Sequence, residues 1–178
     1  LKVGKQSNQT TIRKHLPNMI GMEQLGCPRK DVIYNYNISN NTVKKILDLL
    51  SGKNFINVAH NTCTEKGYQT ENIIDMFSKD LLKEILPHDN FHNRCFHMHY
   101  IEYLEGGYQS RHNHEKTEKY SSILYLNNSD GFTYFEEPIN KKITPKKGKT
   151  LVFKSDIYHS ANASFKNKKV LVGAIDKI

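Results

Sequence analysis

Tyr103-Leu104-Glu105-Gly106-Gly107-Tyr108-Gln109-Ser110-Arg111-His112-Asn113-His114 is the stretch on which the fold turns. It joins an alternating run, Arg94 to Leu104, to a double glycine and then to two histidines one residue apart. Period-two alternation is the pattern of a strand with one covered face, and Gly106–Gly107 reads as its end. On a strand, residues i and i+2 share a face, so His112 and His114 present two imidazoles side by side. Neutral imidazole suits iron, zinc, copper and nickel, so the pair is a two-point clamp awaiting a third ligand. His159, reached after the apolar run at Thr150–Phe153, is the candidate for that third position. His97-Met98-His99 has the same spacing but lies inside the structural run, and its histidines are expected to be hydrogen-bonded surface or core residues.

Outward from this stretch the chain changes grammar. Downstream come short β-branched and aromatic runs at Tyr120–Leu126, Phe132–Phe135, Thr150–Phe153 and Val170–Ile175. Turn residues separate them, including Asp130-Gly131, Pro138, Pro145 and Gly148. Upstream, Val43, Ile46, Leu47 and Leu50 fall at helical spacing between a capping Asn40 or Asn41 and Gly52. A second helix is expected from about Asn72 to Leu86, stopped by Pro87. Residues 1–38 lack periodicity, so irregular structure with short strands is expected there. Helices followed by many short strands indicate an α+β fold whose strands close into a barrel or sandwich.

The chain has 178 residues, and a chain this long buries roughly 70% of its unfolded surface, so it needs neither disulfides nor a structural metal to fold. It reads as one domain, 1–178, with strands and supporting helices in 1–93 and a strand-rich core in 94–178. Mean hydropathy is −0.66, and no apolar run approaches the length of a membrane span. Cys27, Cys63 and Cys95 cannot all pair and show no zinc-ligand spacing, so reduced thiols in a cytosol-like compartment are expected. The net charge is +8, and its densest cluster is Lys141, Lys142, Lys146, Lys147 and Lys149. That cluster reads either as a solvated turn or as a phosphate-facing patch, which keeps a nucleic-acid partner open.

The motifs around His112 resemble those of prolyl-hydroxylase-like 2-oxoglutarate/Fe(II)-dependent dioxygenases. The approach Tyr103…Gly106-Gly107-Tyr108…His112 is similar to the run into their first iron ligand. Ser122-Ile123-Leu124-Tyr125-Leu126-Asn127 resembles their YLN strand, and Gly131-Phe132-Thr133-Tyr134-Phe135 their central hairpin. Pro145 to Phe153 resembles the turn and strand leading to the distal histidine, here His159. The resemblance covers about residues 94–176. It implies a double-stranded β-helix, a jelly-roll or cupin-like barrel with N-terminal supporting helices. It also implies Fe(II) held by His112, His114 and His159, with O2 and 2-oxoglutarate as co-substrates and ascorbate as an optional reductant. Lys169, ten residues after His159, falls where the family places a base for the far carboxylate, with Tyr125 and Tyr103 lining the pocket. The reaction implied is hydroxylation of an unidentified substrate with decarboxylation of 2-oxoglutarate to succinate.

One position departs from the family. Its carboxylate ligand is replaced by His114, which leaves three readings: a three-histidine site, Glu115 or Glu118 as the carboxylate, or a degenerate centre. The departure also brings the sequence near the cupin motif, through Gly106…His112-x-His114…Glu118. A cupin-type metalloenzyme using no 2-oxoglutarate is therefore the first rival. A non-catalytic barrel binding an anionic partner through Lys141–Lys149 is the second.

Overall fold

The computed structural model describes residues 33–53, 56–57 and 64–178. The expectations for residues 1–32, and those for Cys27 and Cys63, lie outside the described residues. The order is β1 (Tyr34–Asn37), α1 (Asn40–Leu50), β2 (Ile56–Asn57) and β3 (Thr64–Gln69), a 3-10 turn at Ile74–Met76, then α2 (Lys79–Ile85) and α3 (Asp89–His92). The strands β4 (Cys95–His112), β5 (Glu118–Tyr125), β6 (Thr133–Phe135), β7 (Lys141–Ile143), β8 (Lys149–Lys154), β9 (His159–Ala161) and β10 (Lys168–Lys177) follow. No helix among the described residues is long and apolar enough to cross a membrane.

The strands join in the order β1-β8-β5-β10-β4-β9-β6-β7, curled so that β4 belongs to both halves. Its first part, through Tyr103, pairs antiparallel with β10; its last part, from Gln109 to His112, pairs with β9. The double glycine therefore does not end the strand, as its sequence suggests, but bends it. Gly106 takes φ +76° and donates its N–H to the Ser164 carbonyl at 2.7 Å. A Cβ on Gly107 would lie 2.5 Å from the Lys66 carbonyl, so only glycine lets β3 and β4 stay paired at the bend.

Two apolar layers result. Met98, Tyr100, Leu124, Leu126, Leu171 and Ile175 face the helices, where Val43, Ile46, Leu81 and Ile85 cover them. Ile101, Tyr103, Ile123, Tyr125, Phe135, Leu151, Phe153 and Val170 fill the barrel. With both faces covered, Ile123-Leu124-Tyr125-Leu126 can be an unbroken apolar run and still be a strand.

The helices refine the sequence reading. Ser39, rather than an asparagine, caps α1 by accepting from the Thr42 N–H at 3.0 Å, and Gly52 at φ +76° follows its end. The expected helix over Asn72–Leu86 is broken into the 3-10 turn and α2. Ser78 competes with the helical backbone, taking extended geometry and accepting from Leu81 N–H at 3.2 Å. Ser78→Ala should therefore lower stability by about 1 kcal/mol, read as a shifted urea midpoint with unchanged slope.

Candidate metal centre and co-substrate pocket

The barrel mouth is the end at which β4 finishes and β9 begins. The registers set His112, His159 and Phe135 in one row across β4, β9 and β6. His114 follows in the turn beyond β4, held by its own N–H donating to the Ser155 carbonyl at 2.8 Å. The strand ends at His112, so it is this turn, not strand alternation, that brings His114 beside it. Ring centroids of His112 lie 4.8 Å from His114 and 4.2 Å from His159, and those of His114 and His159 are 5.4 Å apart. One ligand nitrogen from each ring lies within 4.8 Å of the others.

Backbone carbonyls set the tautomers. His112 Nδ1 sits 2.8 Å from the Ser110 carbonyl and His159 Nδ1 3.0 Å from the Ile157 carbonyl. A carbonyl only accepts, so each Nδ1 carries the proton and each Nε2 keeps its lone pair for the mouth. His112 Nε2 is buried with no hydrogen-bond partner among the described residues, as a waiting ligand atom would be. Burial, reinforced by the neighbouring imidazoles, pulls the pKa of His114 down to about 4 and of His159 to about 3; burial lowers that of His112 as well. All three rings are thus neutral at pH 7, the form that ligates. Phe153 and Phe135 pack on the His159 ring at 4.9 and 5.9 Å and keep that side dry. Converging, neutral, backbone-oriented imidazoles fit a divalent transition metal ion.

The carboxylates considered from sequence lie elsewhere. Glu118 is buried and its carboxylate accepts from Ser121 Oγ at 2.7 Å and Thr117 Oγ1 at 3.1 Å, with burial raising its pKa. Glu115 is exposed beside Lys119, Lys154 and Asp156 in a surface dent. Neither joins the imidazole cluster.

Deeper in the barrel the sequence reading needs a correction by one residue. Lys169 points to the outer, helix-facing side, half-exposed, with Nζ 3.5 Å from Glu102 Oε1. Lys168 is the lysine inside, 2% exposed, its Nζ 5.2 Å from the Tyr103 ring centre and 5.8 Å from that of Tyr125. The cause is register. Asn127 Oδ1 accepts from Lys169 N–H at 2.8 Å while its Nδ2 donates to the Asn167 carbonyl at 2.7 Å. With Val170 opposite both Ile101 and Tyr125, the even positions of β10 face inward. Burial pulls the Lys168 ammonium down to about 7. Lys168 shares a cavity of about 10 Å³ with Tyr103, Gln109, Thr133 and Ala161. Tyr103 and Tyr125 are both fully buried there, and the Tyr125 hydroxyl donates to Thr133 Oγ1 at 2.7 Å.

The remaining singled-out groups lie outside the imidazole cluster. Lys141, Lys146 and Lys149 lie close enough that burial and mutual repulsion lower the Lys149 pKa. His97 and His99, expected to be hydrogen-bonded surface or core residues, lie on the barrel-facing side of β4, in line with Ile101 and Tyr103.

Comparison with known proteins places this geometry. No family model matches the chain, and no curated protein matches it in sequence. Solved structures do match in fold. A prolyl-4-hydroxylase from Pseudomonas putida aligns with a TM-score of 0.56 at 11% identity, over 82% of this chain and 92% of that one. The viral collagen prolyl hydroxylase of Paramecium Bursaria Chlorella virus-1, solved with 2-oxoglutarate, gives 0.56 at 16% identity over 80% and 94%. HygX from Streptomyces hygroscopicus, solved with nickel and 2-oxoglutarate, gives 0.62 at 7% identity over 81% and 82%. The chain has the double-stranded β-helix fold shared by prolyl-4-hydroxylases and other 2-oxoglutarate- and Fe(II)-dependent oxygenases.

Proposed function

We propose that the protein is a 2-oxoglutarate- and Fe(II)-dependent oxygenase with a three-histidine metal site. The observation that carries this reading is the arrangement of two chemistries in one barrel: converging imidazoles at the mouth and a buried lysine below them. His112, His114 and His159 would hold the ion, with Nδ1 of His112 and His159 anchored on backbone carbonyls. When bound, Fe(II) with 2-oxoglutarate and O2 supplies the oxidising power that hydroxylates a substrate C–H bond, with succinate and CO2 as co-products. The Lys168 ammonium would neutralise the distal carboxylate of 2-oxoglutarate, against the Tyr103 face. Tyr125 and Thr133, already hydrogen-bonded to each other, would orient that end. A 10 Å³ cavity is too small for a five-carbon diacid, so the long Lys168 side chain would swing aside as the diacid enters.

No carboxylate joins the cluster among the described residues, and this has a consequence. Three neutral imidazoles leave the ion's full 2+ charge, and the co-substrate carboxylate at the metal would offset half of it. Metal and 2-oxoglutarate should therefore each tighten the other's binding reciprocally. A cupin-type site is not favoured, because Glu118 is engaged by Ser121 and Thr117.

The test needs no substrate. Protein incubated with Fe(II), ascorbate and 2-oxoglutarate should release succinate slowly, and His159→Ala should reduce this to the protein-free background. Succinate at background from the unmodified protein, together with no 2-oxoglutarate binding, would sink the assignment.

A further inference from the structure

The two imidazoles of His97 and His99 have no role in the site above, yet they face the same barrel interior. Both lie on β4 at i and i+2, on the side that carries Ile101 and Tyr103 into the barrel. Their ring centroids are 5.3 Å apart, the spacing of His114 and His159 within the triad. Their cross-strand partners on β10 are Ala174 and Val172, which offer side chains without hydrogen-bonding atoms. His99 Nδ1 is buried and has no hydrogen-bond partner among the described residues. An unpaired buried polar atom costs about 1–3 kcal/mol, so packing alone gives no reason for an imidazole there rather than a leucine. Burial lowers the pKa of both rings, that of His99 to about 3 with His97 and His114 contributing, which leaves both neutral and ready to ligate.

We infer that His97 and His99 form a second, two-imidazole site for a divalent transition metal ion on the barrel-facing side of β4, separate from the three-histidine centre. Two nitrogen ligands leave the remaining positions to water or substrate, so this site is weaker than the triad. Nitrogen-only donors select Cu(II), Ni(II) and Zn(II) in that sense of preference, and exclude Mg(II) and Ca(II), which need oxygen ligands. The inference does not depend on 2-oxoglutarate chemistry, and its test contains none.

The metal-free protein is titrated with Ni(II) by calorimetry, and bound metal is counted by elemental analysis after equilibrium dialysis. The unmodified chain should bind two equivalents, one tight and one at least tenfold weaker. The double variant His97→Gln/His99→Gln should keep the tight equivalent and lose the weak one. His97→Gln alone, at the more exposed ring, should weaken it and guards against misfolding of the double variant. His159→Gln should do the reverse, weakening the tight equivalent only. With Cu(II) loaded to two equivalents, the paramagnetic resonance spectrum should contain a second nitrogen-ligated signal that the double variant lacks. One equivalent in the unmodified protein, or two that survive in the double variant, overturns the inference.

Discussion

Lys168→Met should weaken 2-oxoglutarate binding by roughly 100-fold, while Lys169→Met changes it by less than about twofold. A desolvated ammonium–carboxylate contact broken by removing one partner costs 2–5 kcal/mol, and 3 kcal/mol is about 100-fold in Kd. Lys169 lies on the other face, half-exposed against Glu102, where an ion pair contributes at most about 1 kcal/mol to anything. The same substitution should not destabilise the protein. Lys168 has no carboxylate partner among the described residues and sits between tyrosine rings, so a methionine of similar length removes a desolvation cost. The pH dependence carries the same signature. Burial lowers the folded-state pKa of Lys168 to about 7, below its unfolded value near 10.4. Between those values the unfolded chain binds the extra proton, so this residue's contribution to stability rises with pH there and is lost as pH falls through about 7. Ligand binding runs the other way: the diacid needs the protonated lysine, so affinity should fall by up to tenfold per unit above about pH 7. Isothermal titration of the metal-loaded protein at several pH values checks both. A flat profile, or equal losses at Lys168 and Lys169, would remove Lys168 from the pocket.

His112→Ala and His159→Ala should each cost the tight metal site at least 100-fold in affinity. Disturbing a group that merely orients a ligand already costs 10–100-fold, and these substitutions delete the ligand. Neither should unfold the barrel to the same degree: His112 is half-buried at the mouth, whereas His159 stacks among Phe135 and Phe153 and its removal leaves a small cavity. His114→Asp separates a three-histidine centre from a degenerate one. It supplies an anion beside His112, which would offset part of the ion's charge, so tight Fe(II) binding should persist, whereas His114→Ala should lose it. Glu118→Gln is the counter-test, because the amide oxygen can keep accepting from Ser121 Oγ while its NH2 donates to Thr117 Oγ1, whose own proton can go to the His114 carbonyl. Metal binding should be unaffected by it; loss there with retention in His114→Ala would revive the carboxylate-ligated alternative.

The site was partly legible because its pieces are local. His112 and His114 are two residues apart, and the Gly106–Gly107 bend before them is a sequence signal in its own right. His159 could be singled out only through motif order, since nothing local ties it to His112, and the pairing that joins them is long-range. Of the two adjacent lysines, Lys169, expected inside, faces out and Lys168 faces in. They cannot both face inward, and the choice between them is made by Asn127, forty-two residues before Lys169, clasping the start of β10. For His97 and His99, too, alternation says that they share a face without saying which face is the barrel.

By itself the sequence determined the alternation of strands and turns, the amphipathic α1, and the residue types from which a metal centre can be built. Those follow from interactions spanning a few residues, whose geometry is set by backbone sterics and side-chain period. Only the tertiary structure decided which face of β4 and β10 is interior, that β4 runs through its glycines, and that three imidazoles converge with no carboxylate among the described residues. Each of these depends on strand register, and a slip of one residue exchanges inside for outside along a whole strand. In this protein that one-residue choice separates a surface lysine from the charge at the bottom of the barrel.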